Sequence, residues 1–398
     1  MRLFTMSCAC LPAAMLSAGM AVAATPVPCG GSFGDFTSAI EAEAVRRGAD
    51  AAAARRFFSG VRQDPATIRA DRAQGIFSRP FLDFSQRLIS QNRLQNGQAM
   101  SREWNPVFDR IERELGVSRG VLLSFWAFET DFGAVQGDFN TVNSLMTLGH
   151  DCRRPELFQP HIFAALELYE RGDLDPRTTT GAWAGEIGMV QMLPTDIVDH
   201  GIDGDGDGQV SLQTSAPDAL MSGANVLSSL GWRPREPWLV EITVPDDLDW
   251  YQTGVQSSQS VSDWEAQGIR ARAGGSLPMP GSQASVVLPQ GRNGPAFMAY
   301  PNFSVLFEWN QSFTYVLTAA YFATRLEGAP VFDARNPDAG LSGDQMRVLQ
   351  QRLAARGHDV GAIDGILGAG TRAAVRDEQR RLGLPADAWP TSTLLNAL

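Results

Sequence analysis

The chain carries little that could bind nucleic acid, hold a zinc ion or span a membrane. Its 398 residues include 33 basic against 44 acidic side chains, for a net charge of -11. With no basic stripe to neutralise phosphates, a nucleic-acid partner is excluded. Histidine is scarce: His150, His161, His200 and His358 show no ligand motif, so a zinc amidase, which needs clustered imidazoles, has no support. Charged residues make up 19% and apolar residues 44%, a composition for a sizeable core rather than a disordered chain. Repeats and low-complexity tracts are absent. The N-terminal apolar stretch falls short of the roughly 20 residues that a bilayer requires.

That stretch reads instead as an export signal. Arg2 supplies the positive start, an apolar segment follows, and Ala21-Val-Ala23 fits a small-x-small cleavage site. Residues 1–23 are therefore expected to be removed. Cys8 and Cys10 lie too early for lipid attachment, so the expected product is a soluble, secreted (periplasmic) protein with no membrane anchor. Two cysteines then remain, Cys29 and Cys152. In an oxidising compartment such a pair is expected to form a disulfide, here tying the mature N-terminus to the middle of the chain.

Among the residues that are present, Glu129 stands out. It lies near the end of an apolar run, Val121-Leu-Leu-Ser-Phe-Trp-Ala-Phe-Glu-Thr-Asp-Phe-Gly133. Burial among Trp126, Phe128 and Phe132 disfavours the charged form of a carboxyl. A carboxylic acid still protonated near neutral pH can act as general acid on a glycosidic bond. The plainer alternative is a helix-end Glu that caps or pairs with a cation. About sixty residues on comes a second segment, Gly185-Glu-Ile-Gly-Met-Val-Gln-Met-Leu-Pro194.

Periodicity places helices through residues 35–130, with one over Ser101–Leu115 ending at Gly116. Further helices are expected at Pro160–Glu170, at Asp218–Leu230 closed by Gly231, and at Phe303–Leu326. Residues 238–300 are rich in Gly, Pro and Ser, and runs such as Ser285-Val-Val-Leu288 suggest short strands. Residues 331–340 lie in a linker-like stretch, and 341–398 form a small unit. In that unit Val348, Leu349 and Leu353 mark a first helix, Thr371 caps a second containing Ala374 and Val375, and Leu394, Leu395 and Leu398 close a third.

Taken in order, these segments resemble the lytic murein transglycosylases of the membrane-bound type B class, in a soluble form. The carrying blocks are Phe128-Glu-Thr-Asp-Phe-Gly133, Ala184-Gly-Glu-Ile-Gly-Met-Val-Gln-Met-Leu-Pro194, Asp203-Gly-Asp-Gly-Asp-Gly208, Gly231-Trp232, and Tyr300-Pro-Asn-Phe303 running into Glu308-Trp-Asn-Gln-Ser312. Five blocks in family order, over nearly two hundred residues, agree in context. The 341–398 unit resembles a three-helix peptidoglycan-binding module through Val348-Leu-Gln350, Leu353, Gly357, Asp364-Gly365, Gly368, Thr371, Ala374-Val375, Gln379 and Leu382; Glu378 replaces its usual aromatic. The implied fold is mainly α: a lysozyme-like helical catalytic domain over 24–330, a small partly β insertion at 238–300, and the C-terminal module.

The resemblance also implies a chemistry. Glu129 would protonate the leaving oxygen between N-acetylmuramic acid and N-acetylglucosamine in peptidoglycan. It would then take the proton of the muramyl 6-hydroxyl as a 1,6-anhydro ring closes. No cofactor enters. Gln191 and Asn310 would hold the sugar acetamido group or the 6-hydroxyl, and Tyr315 would stack on a sugar face. Asp131, two residues from Glu129 on a helix, faces elsewhere and is read as structural. Glu186 either lines the cleft, raising Glu129 by like-charge repulsion, or caps a turn; the turn is favoured. Ala182 stands where some relatives carry a serine that hydrogen-bonds the catalytic Glu. Asp203, Asp205, Asp207 and the Gln209 carbonyl follow the first half of an EF-hand loop, with Asp218 as later acidic ligand in place of a position-12 Glu (here Thr214). Structural calcium, or sodium, is the expected ion.

Peptidoglycan is the expected partner, and the sequence leaves other wall enzymes open. Two rival readings remain. One is a wall-binding protein whose cleft has decayed, with Ala182 as its best support. The other is a cysteine L,D-transpeptidase using Cys152 in Gly149-His-Asp-Cys152, a segment without the Ser-x-Gly-Cys context of that chemistry.

Overall fold

Three separate groups of buried side chains organise the chain. The computed structural model describes residues 26–73 and 79–398; the expected leader lies outside them. Among the described residues, seventeen α-helices accompany a two-stranded and a five-stranded sheet. The largest core is helical and runs from Val27 to Phe332. A second, around Trp264, Val286 and Met298, fills the 238–300 segment. A third, around Leu349, Leu353, Val375 and Leu394, belongs to the C-terminal unit. No described helix is long and apolar enough to cross a membrane.

The centre of the large core is the Arg119–Thr130 helix, on which every residue from Gly120 to Ala127 is buried. An all-round apolar helix has to be wrapped on every side, and the Phe313–Leu326 helix supplies one of those sides. Ser124, the polar exception, donates its hydroxyl to the Ala319 carbonyl at 2.8 Å, which satisfies a buried group that would otherwise cost about 1–3 kcal/mol. Phe125 stacks on Trp309 at 4.7 Å and Phe128 on Phe322 at 5.1 Å.

The 238–300 segment is an antiparallel sheet ordered Gln259–Ser260, Gln283–Val287, Phe297–Ala299, Leu239–Thr243, Arg270–Ala271. Leu239 pairs with Ala299, and Val287 with Phe297. The sheet leads directly into the Pro301–Trp309 helix, and so it sets the angle at which that helix reaches the Glu129 region.

Several expected boundaries move. The helix placed over Ser101–Leu115 is two, Gln91–Glu103 and Asn105–Glu114, because Pro106 suits a first helical turn and cannot continue the one before it. The Pro160–Glu170 helix begins a turn earlier, at Pro155, and passes through Pro160. The Phe303–Leu326 helix is broken at Asn310–Ser312, and that break proves to belong to the site. Thr371 does not cap its helix. Gly368 holds the cap position, while Thr371 is fully buried and accepts from the Gln350 amide at 3.3 Å. The 331–340 stretch lacks regular structure, yet it is no free linker: Phe332 is buried against Tyr321, Phe81 and Phe297.

Candidate active site

Glu129 is the next-to-last residue of its helix, and the chain turns sharply after it. Asp131 and Phe132 both adopt left-handed φ, 51° and 61°, followed by Gly133 at 86°. Consecutive non-glycine residues in that region are costly and persist where the surroundings hold them. Here the Asp131 and Phe132 N–H groups donate to the Ala127 and Trp126 carbonyls, and the Asp131 carboxylate accepts from Arg93 at 3.0 Å. Asp131 is thus structural and partly exposed, as its spacing from Glu129 implies.

Thr130 ties this turn to the second sequence block: its hydroxyl donates to the Met189 carbonyl at 2.6 Å and accepts from the Gly133 N–H at 2.9 Å. The block is itself a tight hairpin, closed by a bridge between Ile187 and Met192. Gly188 has φ +82°, and a Cβ there would fall 2.5 Å from Leu212, so only glycine fits. Gln191 also takes positive φ, 52°. Its amide nitrogen donates to the Gly188 and Gln136 carbonyls at 2.8 and 3.2 Å, and its side-chain carbonyl is the part not engaged by those bonds.

The break between the last two helices of the domain delivers the partners of Glu129. Trp309 Nε1 donates to Glu129 Oε1 at 3.4 Å, and the Tyr315 hydroxyl donates a shorter bond to the same oxygen. Asn310 caps the turn between them, with Oδ1 accepting from the Ser312 N–H at 2.9 Å. The expectation that Tyr315 stacks on a sugar is therefore corrected. Its ring is buried, 7% exposed, edge-on to Phe128, and its polar end is committed to Glu129. Trp309 went unmentioned as a site residue in the sequence reading; its place directly before Asn310 in the Glu308-Trp-Asn block is the signal that could have found it. With these two donors, Ala182 does not leave Glu129 without a partner. Ala182 instead sits in a turn, donating its N–H to the Glu186 carbonyl.

Burial dominates the electrostatics. It raises the Glu129 pKa from 4.5 to about 7, against the Tyr315 and Trp309 hydrogen bonds, which favour the charged form, and with help from the charge of Glu186. Glu186 is likewise raised by burial, opposed by its own N–H and that of Ala184. One of its carboxylate oxygens is closed to water and has no hydrogen-bond partner among the described residues. Glu186 thus both organises a turn and lies within electrostatic reach of Glu129, where the turn alone was favoured from sequence. A carboxyl titrating near neutrality, beside a second raised carboxyl and on an aromatic wall, is equipped to give and take a proton.

The acidic loop gathers Asp203, Asp205 and Asp218, with ligand atoms all within 4.8 Å of one another. Asp218 is fully buried and accepts from the Gly204, Asp205 and Ser211 N–H groups. Asp207 stands outside that cluster, exposed, accepting from the Gln209 N–H at 2.9 Å. Cys29 and Cys152 are joined in a disulfide, which occupies the thiol that a cysteine transpeptidase would need.

Comparison with known proteins gives consistent matches. Residues 32–324 match the transglycosylase SLT domain family, and residues 342–398 the putative peptidoglycan binding domain family. The chain is 25% identical to membrane-bound lytic murein transglycosylase B of Escherichia coli K12 over 240 residues, 60% of this chain and 64% of that relative's length. SltB3 of Pseudomonas aeruginosa, solved in complex with NAG-anhNAM-pentapeptide and with NAG-NAM-pentapeptide, is 35% identical with TM-score 0.85, covering 92% of this chain and 99% and 100% of those chains. Escherichia coli Slt35 in complex with calcium shares the fold, at 23% identity and TM-score 0.65, over 75% of this chain and 95% of that one.

Proposed function

This chain belongs to the transglycosylase SLT domain family and ends in a peptidoglycan-binding domain, and from that premise we propose that it is a periplasmic lytic transglycosylase cutting the β-1,4 bond between N-acetylmuramic acid and N-acetylglucosamine. The observation that carries the reading is Glu129, with a pKa of about 7 and Tyr315 and Trp309 both donating to one carboxyl oxygen. In the first step the protonated carboxyl gives its proton to the glycosidic oxygen as the bond to the anomeric carbon breaks. In the second, the carboxylate takes the proton of the muramyl 6-hydroxyl while that oxygen bonds to the anomeric carbon. Glu129 returns to its acid form and no water is consumed. A group alternating between acid and base works best with a pKa near ambient pH. Gln191 lies on the hairpin that Thr130 ties to the Glu129 turn, and Asn310 follows Trp309 at the helix break; they are the proposed holders of the acetamido group. The C-terminal domain would raise the enzyme's local concentration on the wall. The test is the mass of the products released from purified sacculi, with Glu129→Gln alongside.

Glu186 supports the acid form of Glu129. Glu186→Gln removes a like charge, so the Glu129 pKa falls and the protonated acid is lost at lower pH. The alkaline limb of the kcat/KM profile is expected to move to lower pH, with the maximum reduced less than about tenfold. A profile that keeps its shape would remove Glu186 from the electrostatics of the site.

The acidic loop fits a hard divalent cation. Three carboxylates converge, one of them fully buried, and all-oxygen donors suit calcium. Asp203, Asp205 and Asp218 would hold it, and its contribution would be to fix the loop that precedes the Ala216–Ser229 helix. Calcium added to chelator-treated protein is expected to raise Tm by several degrees, since a ligand at a hundred times its Kd stabilises by about 2.7 kcal/mol. Asp205→Asn should abolish the shift. An unchanged Tm, or an equal response to sodium, would remove calcium from the proposal.

A further inference from the structure

Between the C-terminal domain and the catalytic body lies a cavity of about 320 Å³. One side is formed by Val255, Val287 and Leu288, another by Phe307 and Phe313, and a third by the start of the Ala369–Arg381 helix. Its walls are mostly carbon, yet Arg372 and Arg376 both line it. Arg372 donates to the Pro289 carbonyl at 3.0 Å and lies over the Phe313 ring at 4.7 Å. Arg376 donates to the Thr253 carbonyl at 2.8 Å and lies over the Tyr251 ring at 5.1 Å.

These two guanidinium groups are short of negative charge. The Nε atom of each is closed to water, and among the described residues it has no hydrogen-bond partner and neither group forms an ion pair. The one carboxylate in the lining, Asp387, is already engaged: its oxygens accept from the Gln379 amide and from the Trp389 and Arg292 N–H groups. Burial pulls the Arg372 pKa down to about 10, with Asp387 opposing. A guanidinium remains charged at that value, so it cannot escape the cost of burial by neutralising itself. Buried charge without a counter-charge is costly, and a planar fork of donors matches a carboxylate in particular.

We propose that this cavity binds a small monocarboxylate on a compact apolar body, with the carboxylate on Arg372 and Arg376 and the body against Val287, Leu288 and Phe313. The cavity does not contain Glu129, and its test is binding, so the proposal stands or falls apart from the transglycosylase reading. Two sources share this chemistry, an acyl carboxylate and the carboxyl end of an apolar peptide. Calorimetric titration of the full chain with decanoate, and separately with N-acetyl-D-alanyl-D-alanine, distinguishes them. One of the two is expected to bind saturably with one site per chain, and Arg372→Met to weaken it at least tenfold. Arg376→Met reads the same loss should the first variant not fold. If neither probe binds the unaltered protein, or if both variants bind as it does, the proposal is overturned.

Discussion

Glu129→Gln is expected to abolish anhydromuramyl products from purified sacculi, with a rate loss of about 10³–10⁴-fold, the upper range for removing a general acid–base group. The upper range applies because one side chain serves both halves of the reaction. A glutamine can neither give the first proton nor accept the second, and neither neighbouring carboxylate, Asp131 or Glu186, is placed to stand in. Asp131 turns away to Arg93, and Glu186 has a carboxyl held in its own turn. The reading is by mass spectrometry: a 1,6-anhydro end is one water lighter than a hydrolysed end. Anhydro products lost in the variant assign the reaction and its acid together. Reducing-end products from the unaltered protein would mean a hydrolase, and unchanged products from the variant would move the acid elsewhere.

The same substitution has a signature in stability. A carboxyl raised from 4.5 to about 7 in the folded state contributes stability that is fully present below about pH 4.5 and is lost as pH rises through 7. At about 1.4 kcal/mol per unit, the upper bound is roughly 3.5 kcal/mol. Glu129→Gln has no such dependence, so it should melt at higher temperature than the unaltered protein at pH 8 and lose that advantage at pH 4. A gain in stability alongside the loss of activity separates removal of a catalytic group from damage to the fold.

Much of this arrangement was legible in the sequence. The apolar run around Glu129, the change of character at 238–300 and the acidic loop each leave a local pattern, and a local pattern is what periodicity and turn chemistry record. The relations between distant segments were harder to read. Nothing near Tyr315 in the chain says that its hydroxyl points at a carboxyl 186 residues away; its position four residues from Gln311 and two from Leu317 fits a core residue and a cleft residue equally well. The turn favoured for Glu186 is there, but its reach to Glu129 was not legible, since a turn-forming carboxylate and a cleft carboxylate have the same sequence signature and differ only in what folds against them. Asp207 matched an EF-hand position, but the acidic cluster closes on Asp218, a buried residue from the next helix, without it. The cavity at the C-terminal domain left no sequence signal, because its walls come from segments far apart in the chain.

Tyr315→Phe is expected to reduce kcat by about 10–10²-fold, the scale of a displaced catalytic group, and to shift the pH profile in the direction opposite to Glu186→Gln. The Tyr315 hydroxyl favours the ionised form of Glu129, so its removal raises the pKa above about 7. More of the enzyme then holds the acid form at neutral pH, and the alkaline limb moves upward. The rate still falls, because the proton must be taken back in the second step by a carboxylate that has lost its strongest donor and its fixed orientation. Phenylalanine keeps the ring that packs edge-on to Phe128, so the core is nearly unchanged and the lost hydroxyl is the main difference. A merely structural tyrosine would lower the amount of folded enzyme without moving the profile. The double variant, Glu186→Gln with Tyr315→Phe, should bring the alkaline limb back toward its original pH while leaving the maximum low. That result would separate the two contributions to Glu129, since Glu186 acts on its pKa alone and Tyr315 acts on both its pKa and its position. A Tyr315→Phe enzyme with normal kcat and an unmoved limb would show that the Tyr315 hydroxyl takes no part in setting the acid.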